Sequence, residues 1–124
     1  MKILLSIKPE YASRIFEGVK RFEYRRVIPA RAEVRHVVVY ASRPVGRVIG
    51  EFEIGGVLSG TPVDVWRRTQ SQAGISRHEF FEYFRNARTA HAIQVMNEVC
   101  YEVPLGLAER FRVSAPQSFR YLDE

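Results

Sequence analysis

Apolar and polar positions change period several times along the chain, and each change predicts an element. Ile3, Leu4, Leu5 and Ile7 make a short buried run, so Met1–Ser6 reads as a strand. Pro9 then opens a helix, because proline at the first helical position loses no hydrogen bond. Ala12, Ile15, Phe16 and Val19 keep the i, i+3, i+4, i+7 spacing of one apolar face, and Gly18 supplies a C-terminal cap. Lys8 offers no side-chain acceptor to the helix start. Lys20–Val27 alternates, with Phe22 and Tyr24 on one face and Arg21, Glu23 and Arg25 on the other. After a polar connection, the β-branched run His36–Ser42 predicts a central strand. Pro44 and Gly46 turn the chain into a strand over Arg47–Leu58, in which Val48, Gly50, Phe52 and Ile54 point the same way.

Two helices follow. Thr61 caps the first, with Pro62 at its first position and Asp64 at capping-box spacing, and Gly74 ends it. Ser76 and Glu79 form the capping box of the second, whose apolar face is Phe80, Phe81 and Phe84. Arg88–Val103 returns to strand, Leu105–Phe111 predicts a short helix, and Ala115–Leu122 is a tail too apolar to be left in water. Strands outnumber helices and follow one another at hairpin-like spacing. The expected fold class is therefore α+β: a small mixed or antiparallel β-barrel with flanking helices, which buries two-faced strands.

Composition narrows this picture. At 124 residues, 46% hydrophobic and 27% charged, the chain suits one folded domain spanning 1–124, and neither a disordered chain nor a membrane span. The single cysteine, Cys100, excludes an internal disulfide and a four-cysteine zinc site. No signal-peptide pattern opens the sequence, so the expected location is cytoplasmic. His36, His78 and His91 are scattered without metal-ligand spacing, there is no phosphate-cradling glycine loop, and neither metal nor cofactor is expected. Cys100 lies in an apolar strand and reads as core.

Charge points to a class of partner. The net charge is +5 and the pI about 9.7. Residues 1–50 hold 11 Lys and Arg against 4 Glu, whereas residues 51–124 hold 8 Arg against 10 acids. The positive field belongs to the N-terminal half and favours a polyanion. Within it, Lys20, Arg21, Arg25 and Arg26 surround one carboxylate, Glu23, and two aromatics, Phe22 and Tyr24. Cations can neutralise phosphates, aromatics can stack on bases, and the carboxylate can accept from a base edge or an amine. A plain basic strand, with its aromatics in the core and Glu23 paired to an arginine, would look the same in sequence. Lys20 and Glu23 have opposite strand parity, so they share a pocket only if Lys20 sits at the strand entry or beside a bulge. Lys8 stands where a strand feeds a helix start, a position that favours anions. Tyr40, Ser42 and Arg43 mark a strand end. Residues 62–86 also read as a helix-turn-helix with Ser76–Arg85 as the reader, although Glu79 and Glu82 would then face DNA phosphates.

Taken in order, Ser6-Ile7-Lys8-Pro9, Gly18-x-Lys20-x-x-Glu23-x-Arg25, Tyr40-Ala41-Ser42 with Pro44, Gly50 and Phe52, and Pro116–Leu122 make a pattern that spans essentially the whole chain. It resembles an ASCH domain of the PUA-like superfamily. The resemblance implies a small β-barrel with flanking helices and a cleft beside the first helix. It also implies kinship with modules that bind RNA or a modified base, some members being labelled regulators of transcription. In the cleft it implies, Lys8, Lys20, Arg25 and Arg26 would supply positive charge to an RNA or nucleotide-like ligand. Glu23 would anchor a base or amine, and Tyr40, Ser42 and Ser118 would line the walls. Some relatives are enzymes, namely amidohydrolases acting on N4-acetylcytidine and a ribonuclease; in that case Lys20 and Glu23 would be the catalytic pair. Of the amidohydrolases' lysine, threonine and glutamate, Lys20 matches the first, the second falls on Glu23, and Ser71–Gly74 holds no carboxylate. DNA as a partner and the oligomeric state are left open.

Overall fold

The computed structural model describes residues 1–122. Its framework is one six-stranded sheet made of β1 (Lys2–Ile7), β2 (Phe22–Arg25), β3 (His36–Ala41), β4 (Arg47–Gly60), β5 (Ala90–Leu105) and β6 (Phe119–Leu122), in the spatial order β2-β5-β4-β3-β1-β6. β1 and β3 are parallel, and the other neighbours are antiparallel. Four α-helices flank it among the described residues: α1 (Pro9–Phe16), α2 (Pro62–Thr69), α3 (Arg77–Tyr83) and α4 (Leu107–Arg110). The sheet curls into a half-barrel whose two ends are β2 and β6.

Local signals act where the sequence puts them. α1 starts on Pro9 with no side-chain cap from Lys8, and it ends in a Schellman motif. There Gly18 has φ +82, its N–H donates to the Ile15 carbonyl, and the Val19 N–H donates to that of Arg14. Thr61 accepts from the Asp64 N–H at the start of α2. Ser76 and Glu79 cap α3 reciprocally.

Three apolar clusters fill the molecule. The first packs α1 (Ala12, Ile15) on one face of the sheet (Ile3, Leu5, Val37, Val39, Phe52, Ile93). The second joins α2 and α3 to β2 and β5 through Phe22, Tyr24, Val65, Ala73, Phe80 and Phe84. Its aromatics interlock: the Phe80 ring lies 5.0 Å from Tyr24 and 4.9 Å from Trp66. The third lies on the opposite face, where Leu4, Val38, Tyr40, Val48, Leu107 and Leu122 meet.

Four expectations change. α2 ends at Thr69 and a 3-10 turn over Gln70–Gln72 follows, so Gly74 does not end it. Val48 and Phe52 do not share a face: Val48 is in the third cluster and Phe52 in the first. The pairing of β3 with β4 shifts between Val39 and Tyr40, and the extra residue reverses the alternation. Residues 119–122, read as part of a tail, form a sixth strand that pairs antiparallel with β1. Cys100 is exposed rather than core. β2 pairs with β5 only at residues 91–94, so the C-terminal half of β5 lies beyond that partner, and Val99 and Val103 are exposed along with the thiol. No helix among the described residues is long and apolar enough to cross a membrane.

Candidate functional site

A cleft of about 1220 Å³ opens between α1, β2, the ends of β1 and β3, α3 and the segment before β6. Lys8, Lys20, Glu23, Arg25, Arg26, Tyr40, Ser42 and Ser118 all line it. They come from four separate stretches of chain, and the curl of the sheet brings them together.

The floor of the cleft is a buried ionic cluster. Lys20, Glu23 and Arg25 are 1%, 4% and 8% exposed. Glu23 lies opposite Ile93, on the sheet face of the first core, while Phe22 and Tyr24 point the other way into the second. Lys20 precedes β2, so strand parity does not bind it. Its ammonium lies 3.7 Å from Glu23 Oε1, and Arg25 Nη1 donates to Glu23 Oε2 at 3.1 Å. Lys20 Nζ also donates to the Phe22 carbonyl, and more weakly to that of Ala73 at 3.5 Å. The ring of Tyr24 faces it at 4.6 Å and that of Tyr11 at 5.8 Å.

Arg25 crosses the open side of the sheet. Nη1 donates to the Ser6 carbonyl at 3.1 Å, and Nη2 to Ser118 Oγ at 2.8 Å. One guanidinium thereby joins the end strand β2 to β1 and to the segment leading into β6. That segment is itself held to β1, since the Ser6 N–H donates to the Ser118 carbonyl and Ser6 Oγ to that of Pro116.

The walls are less buried. Tyr11 donates to Glu79 Oε2 at 3.0 Å, linking α1 to the cap of α3. Ser42 donates through both N–H and Oγ to the Ile7 carbonyl, tying the ends of β3 and β1. Arg26 Nη1 donates to the Tyr83 and Arg85 carbonyls. α3 turns His78, Glu79, Glu82 and Tyr83 toward the cleft and buries Phe80. α3 is thus a cleft wall with two carboxylates on its polar side, which weighs against reading it as the DNA-reading helix of a helix-turn-helix over residues 62–86.

The ASCH domain family model matches residues 5–103. The chain belongs to the ASCH domain family. A crystal structure of ASCH from Zymomonas mobilis superposes with a TM-score of 0.90 at 30% identity, covering 99% of this chain and 88% of that one. The half-barrel with its flanking helices is accordingly the PUA-like fold. A Zymomonas mobilis protein named ASCH domain-containing ribonuclease is 30% identical over 123 residues, 96% of this chain and 82% of that protein. The large ribosomal subunit protein uL22 of Ureaplasma parvum is 30% identical over 121 residues. That match takes in 97% of this chain but spans only 39% of the ribosomal protein's length.

Electrostatics sharpen what this ASCH domain can do at its floor. Burial pushes the Lys20 ammonium below its ordinary value, against the opposing pull of Glu23. Burial also raises the Tyr11 hydroxyl to about 12, with the Glu79 carboxylate adding to the effect, and raises that of Tyr24 to about 12. Glu79 is held below the usual carboxylate value, chiefly by the Ser76 N–H. A lysine whose proton is loosened beside a carboxylate can donate or exchange that proton. Among the described residues, no group of three or more His, Cys, Asp or Glu side chains could hold a metal ion.

Tyr11, Arg43, His78 and Glu79 line the cleft as well, although Arg43 stood out in the sequence only as a neighbour of Tyr40 and Ser42 and the other three did not stand out as cleft residues. Glu79 carried a signal in its capping-box position. Tyr11 carried one too, since it stands a single turn after Lys8 on the same helix.

Proposed function

We propose that the chain acts as one domain that binds RNA or a nucleotide-like ligand in this cleft. The observation that carries the reading is Glu23, buried at the cleft floor between two cations. A surface that only neutralised phosphates would gain nothing from a carboxylate there, because it cancels part of the attraction. A carboxylate fixed between Lys20 and Arg25 is a placed acceptor for an amino or imino group on a base edge. Support also comes from the +7 balance of residues 1–50 and from the ribonuclease name of the Zymomonas relative.

The test is fluorescence anisotropy with labelled single-stranded RNA over a range of salt. Affinity should fall with salt, with a log–log slope of about −0.7 per phosphate neutralised. Absent or salt-independent binding overturns the reading. The same titration with single-stranded DNA separates RNA from DNA.

A second reading, RNA cleavage, rests on the loosened Lys20 proton beside Glu23. Incubation with labelled RNA tests it: turnover in the wild type that is lost in Lys20→Met makes the protein an enzyme. N4-acetylcytidine hydrolysis has weaker support, because Ser71–Gly74 holds no carboxylate.

A further inference from the structure

The cations of the cleft divide into those already bonded within the protein and those that are free. Five Lys and Arg side chains line it: Lys8, Lys20, Arg25, Arg26 and Arg43. Lys20 and Arg25 are nearly sealed from solvent and share Glu23. Arg25 gives its remaining bonds to Ser6 and Ser118, and Arg26 gives Nη1 to two carbonyls of the α3 region. Lys8 and Arg43 differ. Both are exposed, and among the described residues neither side chain makes a hydrogen bond or an ion pair. The Lys8 ammonium lies 5.9 Å from the centre of the Tyr11 ring.

Topology places these two side chains together. Lys8 follows Ile7, the last residue of β1, and Arg43 comes two residues after Ala41, the last residue of β3. Ile7 and Ala41 are register partners in the sheet's parallel pair, and Ser42 bonds back to the Ile7 carbonyl. Neighbouring strands lie about 4.8 Å apart. Two long cationic side chains leave this one spot at the carboxyl ends of parallel strands, where α/β crevices take ligands. Arg43 also brings a planar fork suited to two phosphate oxygens. The acids of the cleft are engaged elsewhere: Glu23 with Lys20 and Arg25, Glu79 with Ser76 and Tyr11, and Glu82 with Arg85.

We propose that Lys8 and Arg43 form a phosphate subsite at the rim of the cleft, taking the phosphate of a nucleotide whose base points toward Glu23. This rests on the reading of the cleft as a nucleotide site and adds a division of labour within it. Lys20 and Arg25 organise the floor and leave phosphate binding to the rim. Arg25 is on this account a positioning residue for Glu23 and Ser118, and no phosphate ligand.

The test compares wild type, Lys8→Ala, Arg43→Ala and the double variant, with Arg120→Ala as a control outside the cleft, using labelled single-stranded RNA at several salt concentrations. Both rim residues are exposed, so circular dichroism melts should coincide with wild type. Each rim substitution should flatten the log–log salt slope by about 0.7, the double variant by about twice that, and Arg120→Ala should leave it unchanged. In competition, 5′-mononucleotides should displace RNA from the wild type better than the matching nucleosides, and this advantage should vanish in the double variant. If the wild type binds RNA and the double variant keeps the same slope, the subsite is overturned while the cleft reading stands. If inorganic phosphate competes as well as the mononucleotides, the assignment to a nucleotide is overturned. If the wild type binds no RNA, both are overturned.

Discussion

Gly74 packs so closely on Lys20 that a methyl group added to the glycine would lie 2.4 Å from the lysine Cβ and 2.6 Å from its Cα. The glycine also has φ +67, a left-handed conformation. Its carbonyl accepts from Arg14 Nη1 at 2.9 Å, so the same residue joins α1, the start of α3 and the backbone that sets Lys20 in the floor.

Gly74→Ala should therefore cost more than a turn glycine usually does. The left-handed backbone costs about 1–2 kcal/mol for a residue with a side chain, and forcing Lys20 aside costs about 1–3 kcal/mol more. Gly18 is the internal comparison, because it too has positive φ but has nothing within 4 Å of an added methyl. Gly18→Ala should lose only the first amount. Urea denaturation of both variants measures the difference; equal losses would mean that the contact with Lys20 relaxes freely.

The two ends of the buried pair should respond unequally. Glu23→Gln leaves Lys20 and Arg25 without their shared carboxylate, and breaking a buried pair in this way costs about 3–5 kcal/mol of stability. Lys20→Met leaves Glu23 still bonded to Arg25 at 3.1 Å. Its cost should be smaller, within about 1.5 kcal/mol, as for other volume-conserving core changes. Chemical denaturation at pH 7 gives both values, and a larger loss in Lys20→Met would contradict the geometry. In the folded Glu23→Gln protein, nucleotide affinity should fall by about 1–3 kcal/mol, the worth of a hydrogen bond to a charged group.

Lys20 also makes stability depend on pH. Burial sets its folded pKa below the ordinary 10.5. Between the two values the unfolded chain binds more protons, so this group's contribution to stability rises as the pH climbs through the folded value toward 10.5. Subtracting Lys20→Met from wild type cancels the tyrosines and isolates that rise. Denaturation curves at pH 7 and pH 10 should show wild type gaining on the variant; a constant difference would mean that the ammonium is not destabilised by burial.

Glu79 acts in the opposite pH range. The Ser76 N–H, with help from the Tyr11 hydroxyl, holds its carboxyl below 4.5. Its stabilising contribution is present above 4.5 and is lost as the pH falls through the folded value. The side chain is 37% exposed, so solvent moderates the effect. Glu79→Gln should flatten the fall in stability between pH 5 and pH 3, and Ser76→Ala should cost about 0.5–2 kcal/mol as a lost helix cap. A wild-type acid slope unchanged in Glu79→Gln would remove the carboxylate from that account.

Much of the architecture could be read from the chain because its causes are local. Proline and glycine at the ends of α1, the Ser76–Glu79 box and the alternation of Phe22 and Tyr24 act through bonds and contacts a few residues apart, which a linear pattern records. Eight of the cleft residues, from Lys8 to Ser118, were legible as a set only through the family resemblance that their ordered motifs carry. What those residues do with their charges was decided only by the closure of the sheet. Arg25 is occupied because Ser118, 93 residues later, lies across the open side of the half-barrel. Lys8 and Arg43 stand together because two parallel strands end side by side. A one-residue slip between β3 and β4 moved Val48 to the opposite face from Phe52, and the short reach of β2 left Cys100 exposed. The sequence determined which side chains could carry charge and where helices and strands begin. Whether a cation meets a carbonyl, a carboxylate or open cleft depends on partners tens of residues away, and only the folded chain brings those together.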